Sequence, residues 1–283
     1  MRPAHEWAFV AVGTQWWIGV YQPLSKDLFA QLKRTIGERI ERFDATYSRF
    51  RPDSWVNHLA RQPGTYALPP DARKLFTFYR ALYELSGGTI TPLIGEAFAT
   101  EGYTATTPPL WDDVLSVGGQ TITVRRPVLL DVGAAGKGFL VDAVGEVLRG
   151  QGVTHFCIDA GGDMYCNQLV TDMYIGLEHP ADPAFIVGTA TLRHGSICAS
   201  APSRRAWPGY HQIVNPFTLE PVQSWQAVWV VASNTLTADG LATALFLVPP
   251  ERLSKHFIFE YCAVDSTNSV QWSPGFPGRP HTT

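Results

Sequence analysis

Residues Leu129 to Asp163 read LLDVGAAGKGFLVDAVGEVLRGQGVTHFCIDAGGD. The apolar run Val128-Leu129-Leu130 predicts a buried strand that ends at Asp131. Gly133, Ala134, Ala135 and Gly136 follow with almost no side chain, so a ligand or another backbone can approach closely. Lys137 stands at the mouth of an amphipathic helix whose buried stripe is Leu140, Val144, Val147 and Leu148, closed by Gly150. A second strand, Phe156 to Ile158, delivers Asp159, Gly161, Gly162 and Asp163 into another turn of bare backbone. An anion between the two turns would meet backbone N–H groups, a helix N-terminus and one ammonium. The same strand, turn and helix also occur in α/β proteins for packing alone. The stretch matches neither the Walker A spacing nor GxGxxG after a strand.

Working outward, Trp7 to Val20 predicts two strands about a turn at Gly13-Thr14, and Asp27 to Phe43 a helix buried along Leu28, Leu32, Ile36, Ile40 and Phe43. Tyr47 to Ser54 is a polar loop, and Pro69-Pro70-Asp71 opens a helix with the face Leu75, Phe78, Tyr79, Leu82 and Leu85, ended by Gly87-Gly88. Thr89 to Trp111 is irregular, with Pro108-Pro109 against a long helix. Strand character recurs at Thr121–Val124, Met173–Leu177, Phe185–Leu192, Gly195–Ala199, Tyr210–Val214 and Trp225–Ala232, and a last helix runs from Thr237 to Val248. Many strands with few helices between them predict an α+β fold with antiparallel pairing, because parallel strands need crossovers. We expect one domain over residues 1–283, its last ~10 residues loose because the tail from Ser273 is rich in Pro and Gly.

Composition narrows the function classes. The chain is 45% hydrophobic and 17% charged, as in a soluble globular protein, and its net charge of −3 gives no electrostatic case for nucleic acid or an anionic membrane. No stretch reaches the roughly 18 apolar residues of a membrane span. The N-terminus reads as neither signal peptide nor lipidation site, so the expected location is the cytoplasm. Cys157, Cys166, Cys198 and Cys262 form no CxxC pair, and Cys157 and Cys198 read as buried thiols.

Several groups could carry chemistry. Asp239 and Thr243 lie four apart on the last helix and point from one face; carboxylate and hydroxyl are hard oxygens that suit Mg²⁺ better than zinc, although Asp near a helix start also serves as a cap. Asp131 could hydrogen-bond a ligand or cap its own turn, Asp142 reads as structural, and Asp163 as a turn residue. His211 is the candidate general base, with a structural strand histidine as the alternative. No histidines share ligand spacing such as HxxxH, so zinc is not supported.

Taken in order, AVGT about Val12, YSRFRPDS about Phe50, LSGGTITPLIG to Gly95, DVGAAGKGFLVD from Asp131, DAGGD from Asp159, SICAS to Ser200, HQIVNP from His211 and ADGLAT from Ala238 resemble the ApbE family of FAD:protein FMN transferases over nearly the whole chain. The resemblance implies an ApbE-like, T-fold-related α+β fold of mixed, largely antiparallel sheets packed with helices. It implies that FAD is the substrate, that Mg²⁺ assists cleavage of its diphosphate, and that the FMN half passes to a Thr or Ser of a protein acceptor with release of AMP. By residue, it implies nucleotide contacts from Asp131 and Lys137, metal ligation by the Ala134 carbonyl, Asp239 and Thr243, and an FAD site lined by Val12, Phe50, Thr89, Ile90, Thr91 and Ile213. Where the family pattern HIIDP has its histidine this chain has Gln212, and Asn215 replaces the aspartate. Thr91 stands for an Asp and Leu219 for a Gly. Gln cannot take a proton near neutral pH, and neighbouring His211 substitutes for it only if the strand is bent. Alternatives are an FAD-binding relative with little transfer activity and an FAD hydrolase yielding FMN and AMP.

Overall fold

The computed structural model describes residues 2–98, 106–204, 206–207 and 210–280. Its centre is an eight-stranded sheet in the order His5–Ala11, Thr14–Val20, Phe156–Ala160, Met164–Asn167, Gly195–Ser200, Trp225–Ala232, Glu260–Asp265, Val270–Trp272. All described pairings are antiparallel, as the run of strands without intervening helices requires.

These strands read as nearly continuous apolar runs because both faces of the sheet are covered. On one face Phe156, Ile158, Cys198, Val228, Val230 and Ala263 join the main core with the helices. On the other, the alternate residues Cys157, Ile197, Ala227, Trp229, Cys262 and Val264 pack with Leu177, Ala190 and Leu192 of a smaller sheet. That smaller sheet is ordered Gly278–Pro280, Ile186–Leu192, Met173–Glu178. A third sheet, ordered Gly64–Ala67, Thr121–Val124, Leu115–Gly118, lies apart from both in the pairing scheme.

The helix Gly136–Gly150 packs between the helices Lys26–Tyr47 and Thr235–Ala244, and the latter lies on the strands Gly195–Ser200 and Trp225–Ala232. Ser25 caps Lys26–Tyr47 by accepting from the Leu28 N–H, and the predicted stripe Leu32, Ile36, Ile40 and Phe43 is buried. Helix Ala72–Ser86 ends on Gly87 at φ +63, the left-handed cap expected of glycine.

The structure corrects three local readings and adds one element. Val128 to Leu130 is fully or partly buried but joins no ladder; the Asp131 N–H instead donates to the Pro92 carbonyl at 2.8 Å, because the turn Pro92–Phe98 packs where a neighbouring strand would lie. The tail is not loose from Ser273: Phe276 is buried and Gly278–Pro280 adds an edge strand to Ile186–Leu192. Of the strand expected over Tyr210–Val214 only Tyr210–His211 forms, followed by an isolated bridge from Val214 to Pro221. A short helix, Trp55–Arg61, fills part of the segment after the polar loop, with Ser54 as its cap. Within the irregular segment, residues 99–105 lie outside the described residues.

Candidate active site

Two helices finish one another at the centre of the molecule. The Asp239 carboxylate, on Thr235–Ala244, accepts the Gly138 N–H at 2.7 Å and so caps Gly136–Gly150. In return Asp142 accepts the Thr235 and Leu236 N–H groups at 2.8 and 3.0 Å and caps Thr235–Ala244. Orphan donors at both N-termini are thereby met by buried carboxylates, each also placed favourably in the helix dipole. Gly138 permits this approach: a Cβ there would stand 2.2 Å from the Thr235 carbonyl oxygen.

The small-residue loop precedes this junction. Asp131 accepts the Gly133 N–H at 2.6 Å and pairs with Arg49 at 2.9 Å, so it shapes its turn and holds the polar loop against it. The Thr243 hydroxyl lies 3.5 Å from the Ala134 carbonyl oxygen and 3.2 Å from the Ser200 hydroxyl. Ala134, Asp239 and Thr243 therefore converge. Beneath the loop the Tyr79 hydroxyl is buried, and its acidity is suppressed by burial and then by the charges of Asp131 and Asp239.

Lys137 reaches the other way, to the Asp163 carboxylate at 2.7 Å and the Ala160 carbonyl at 3.2 Å. Burial alone would lower the Lys137 ammonium, but Asp163 and Asp239 more than offset it and hold the group above the usual lysine value. Asp163 is fully buried, and burial pushes its carboxyl up against the pull of Lys137. It is thus an ion-pair partner as well as the turn residue its sequence position predicted, its carbonyl accepting the Ala160 N–H at 3.0 Å.

In this structure the Gly138 N–H of the first helical turn is met by Asp239, and the Lys137 ammonium is paired with Asp163.

The remaining predicted residues surround this junction. A Cβ on Gly161 would stand 2.0 Å from the Thr14 hydroxyl, so the AVGT turn and the DAGGD turn are packed together. Val12 in the former has φ +44, a left-handed conformation that a β-branched residue rarely holds and that marks stored strain. Phe50 is 78% exposed, with the Arg49 guanidinium 4.3 Å from its ring centroid. Thr89 donates to the Ser86 carbonyl, Ile90 is buried, and the buried Thr91 hydroxyl accepts the Leu93 N–H at 3.2 Å. Phe217 closes on Gly88, where a Cβ would meet its ring at 3.2 Å, so the NPFT loop abuts the GGTITP turn. Leu219, standing where the resemblance expects glycine, has φ +60 and keeps the turn at the cost of strain.

His211 and Gln212 part company. The Gln212 amide donates to the Ala201 carbonyl at 3.3 Å. His211 lines a separate open cleft of about 290 Å³ with Pro202, Val222, Trp225 and Gln226. Its Nδ1 accepts the Ile213 N–H at 3.2 Å, which leaves the neutral ring protonated on Nε2. Burial lowers its proton affinity, countered by hydrogen bonding to the Val222 backbone. Ile213 itself is buried. Sequence reading passed over Arg49, Ser200 and Tyr79, whose partners lie far along the chain.

Fold and site together define an α+β protein with buried carboxylates at the junction of two central helices, and comparison with known proteins gives its family. The ApbE family model matches residues 12–259, and the chain belongs to that family. An FAD:protein FMN transferase of Vibrio cholerae serotype O1 is 28% identical over 148 residues, 49% of this chain and 44% of that protein, so the match spans less than half of the relative. A Treponema pallidum protein of the same name is 25% identical over an alignment of 305 residues, covering 92% of this chain and 82% of that one. The crystal structure of the ApbE protein from Thermotoga maritima superposes with a TM-score of 0.81 at 20% identity, over 95% of this chain and 97% of the other. The α+β fold with largely antiparallel sheets is therefore the ApbE fold. Among the described residues no helix is long and apolar enough to cross a membrane.

Proposed function

We propose that this protein moves the FMN half of FAD onto a Thr or Ser hydroxyl of a target protein, with Mg²⁺ as cofactor and AMP as the leaving product. The observation that carries this reading is the convergence of the Ala134 carbonyl, the Asp239 carboxylate and the Thr243 hydroxyl beside Lys137. Among the described residues no three His, Cys, Asp or Glu side chains cluster as a metal site, so a cation here would be held by one carboxylate and neutral oxygens. That donor set is all hard oxygen and fits Mg²⁺, which keeps several waters and binds through one or two carboxylates plus substrate phosphates. When bound, the ion would neutralise diphosphate charge and polarise the bridge to be broken.

The chain's own residues do the rest. Asp239 is held in place by the Gly138 N–H, and Thr243 is held by Ser200. Lys137 stays charged through neutral pH and offers its ammonium to phosphoryl oxygens while Asp163 fixes its direction. Val12, Phe50, Thr89, Ile90, Thr91 and Ile213 would line the flavin nucleotide, with the exposed Phe50 ring free to cover a planar face.

A second reading, FAD binding or hydrolysis with weak transfer, is favoured by the acceptor side of the site. Gln212 offers no base and donates to the Ala201 carbonyl, while His211 lines an open cleft with Nδ1 engaged. Incubation with FAD, Mg²⁺ and a Thr-containing acceptor followed by intact-mass analysis separates the readings. An acceptor heavier by one FMN supports transfer. Free FMN and AMP with unmodified acceptor supports hydrolysis, and retained FAD with neither product supports binding alone.

A further inference from the structure

We propose that Cys157 and Cys166 are a built-in disulfide site, closed when the chain meets a disulfide oxidant. The two residues are direct partners in the antiparallel pair Phe156–Ala160 with Met164–Asn167. Either kind of antiparallel pair holds its Cα atoms about 4.5–5.5 Å apart, within the roughly 4.4–6.8 Å that disulfides span. Both side chains turn to the same face, and their sulfurs lie 2.8 Å apart. That is nearer than non-bonded heavy atoms normally come, roughly 3.5–4.0 Å between carbons. Both thiols are wholly buried in the cluster with Leu177, Ala190 and Ile197.

Burial sets when the bond can form. Hydrogen bonding with Cys166 and then burial raise Cys157 well above the usual thiol value, which suppresses the thiolate that exchange requires. The bond therefore closes before the sheet does. One thiolate attacks a small disulfide such as oxidised glutathione, releasing one glutathione thiol and leaving a mixed disulfide. The second cysteine thiolate then displaces the other glutathione. One S–S bond forms, one is lost, and two protein thiols become two glutathione thiols.

The cross-link would staple the hairpin whose turn carries Asp163, the partner of Lys137, and so bears on the order of the candidate site. Cys198 and Cys262, also buried, have no such mate among the described cysteines: Cys198 Sγ instead points to the Thr235 carbonyl. Which form prevails in the cell follows from the redox poise of its compartment.

The test uses the full chain, denatured, reduced and refolded in oxidised and reduced glutathione, then denatured, alkylated and digested. The expected product is a peptide pair joined at Cys157 and Cys166, the protein lighter by about 2 Da before alkylation, with Cys198 and Cys262 alkylated. The double variant C198A/C262A keeps the cross-link, and C157S loses it. The oxidised form should melt about 4–5 °C above the reduced form, as expected for a loop of this length in a chain of this size. Should refolding yields be poor, the same thiol count is made on protein expressed in an oxidising compartment. Four alkylated cysteines under both conditions, or a cross-link that survives C157S, overturns the proposal.

Discussion

Replacing Asp142 by Ala should unlatch the helix that carries the candidate metal ligands without touching any of them. The carboxylate is buried and accepts two backbone N–H groups, at 2.8 Å from Thr235 and 3.0 Å from Leu236. Lys74 stands 4.0 Å away but is half exposed, and its loss of a partner is of small consequence. Loss of a helix cap costs about 0.5–2 kcal/mol, and leaving a buried donor unsatisfied costs about 1–3 kcal/mol. Because the two accounts overlap, we expect a net loss of about 2–4 kcal/mol. Asp142→Asn retains one acceptor but turns an NH₂ toward the other donor, and should fall between wild type and Ala. Urea unfolding followed by tryptophan fluorescence reads the stability, and Mg²⁺ titration of FAD binding reads the site. Both should weaken together, since Asp239 and Thr243 ride on a helix left with only its Asn234 cap. An Ala variant that unfolds at the wild-type urea midpoint would refute the capping argument. One that is destabilised yet binds Mg²⁺ normally would refute the link from cap to site.

Lys137→Met removes the partner of a buried carboxylate and should cost about 3–5 kcal/mol, with Asp163→Asn in the same chain restoring much of it; denaturant midpoints of the single and double variants check this, and no recovery in the double variant would count against the pair. FAD affinity should not recover in that double variant if the ammonium itself contacts phosphate. For His211, the folded state favours the neutral ring, so its contribution to stability is present above the unfolded value near 6.5 and is lost as the pH falls through the lower folded value. His211→Asn should flatten stability against pH in the acid range. It should lower any transfer rate less than the roughly 10²–10⁴-fold expected of a general base, because Nδ1 is already engaged by Ile213; a larger loss in single-turnover assays would reinstate His211 as the base.

What could be read from the sequence was whatever depends on near neighbours. The 3.6-residue stripe from Leu32 to Phe43 and the glycine stop after Ser86 need only local chemistry, and both stand in the structure. Asp239 and Thr243 share a helix face by their spacing alone, and the fold brings the Ala134 carbonyl to that face. By contrast, Val128 to Leu130 has the composition of a strand, but strand identity depends on what lies beside it, and there it meets the Pro92–Phe98 turn. Asp163 shows the same limit. After two glycines an aspartate resembles a turn residue, and only the arrival of Lys137 from another element makes it an ion-pair partner. Arg49 was hidden likewise, since nothing near it in sequence announces Asp131.

The mutual capping of the two central helices has a bearing on how the protein comes into being. Gly138 is separated from Asp239 by 101 residues and Asp142 from Thr235 by 93. During synthesis the glycine loop and Lys137 leave the ribosome long before the carboxylate that completes them, so an early fragment carries the motif without its finishing partner. The junction should thus order only once the second helix has been made, and two separately made segments carrying one helix each should complete it only on meeting.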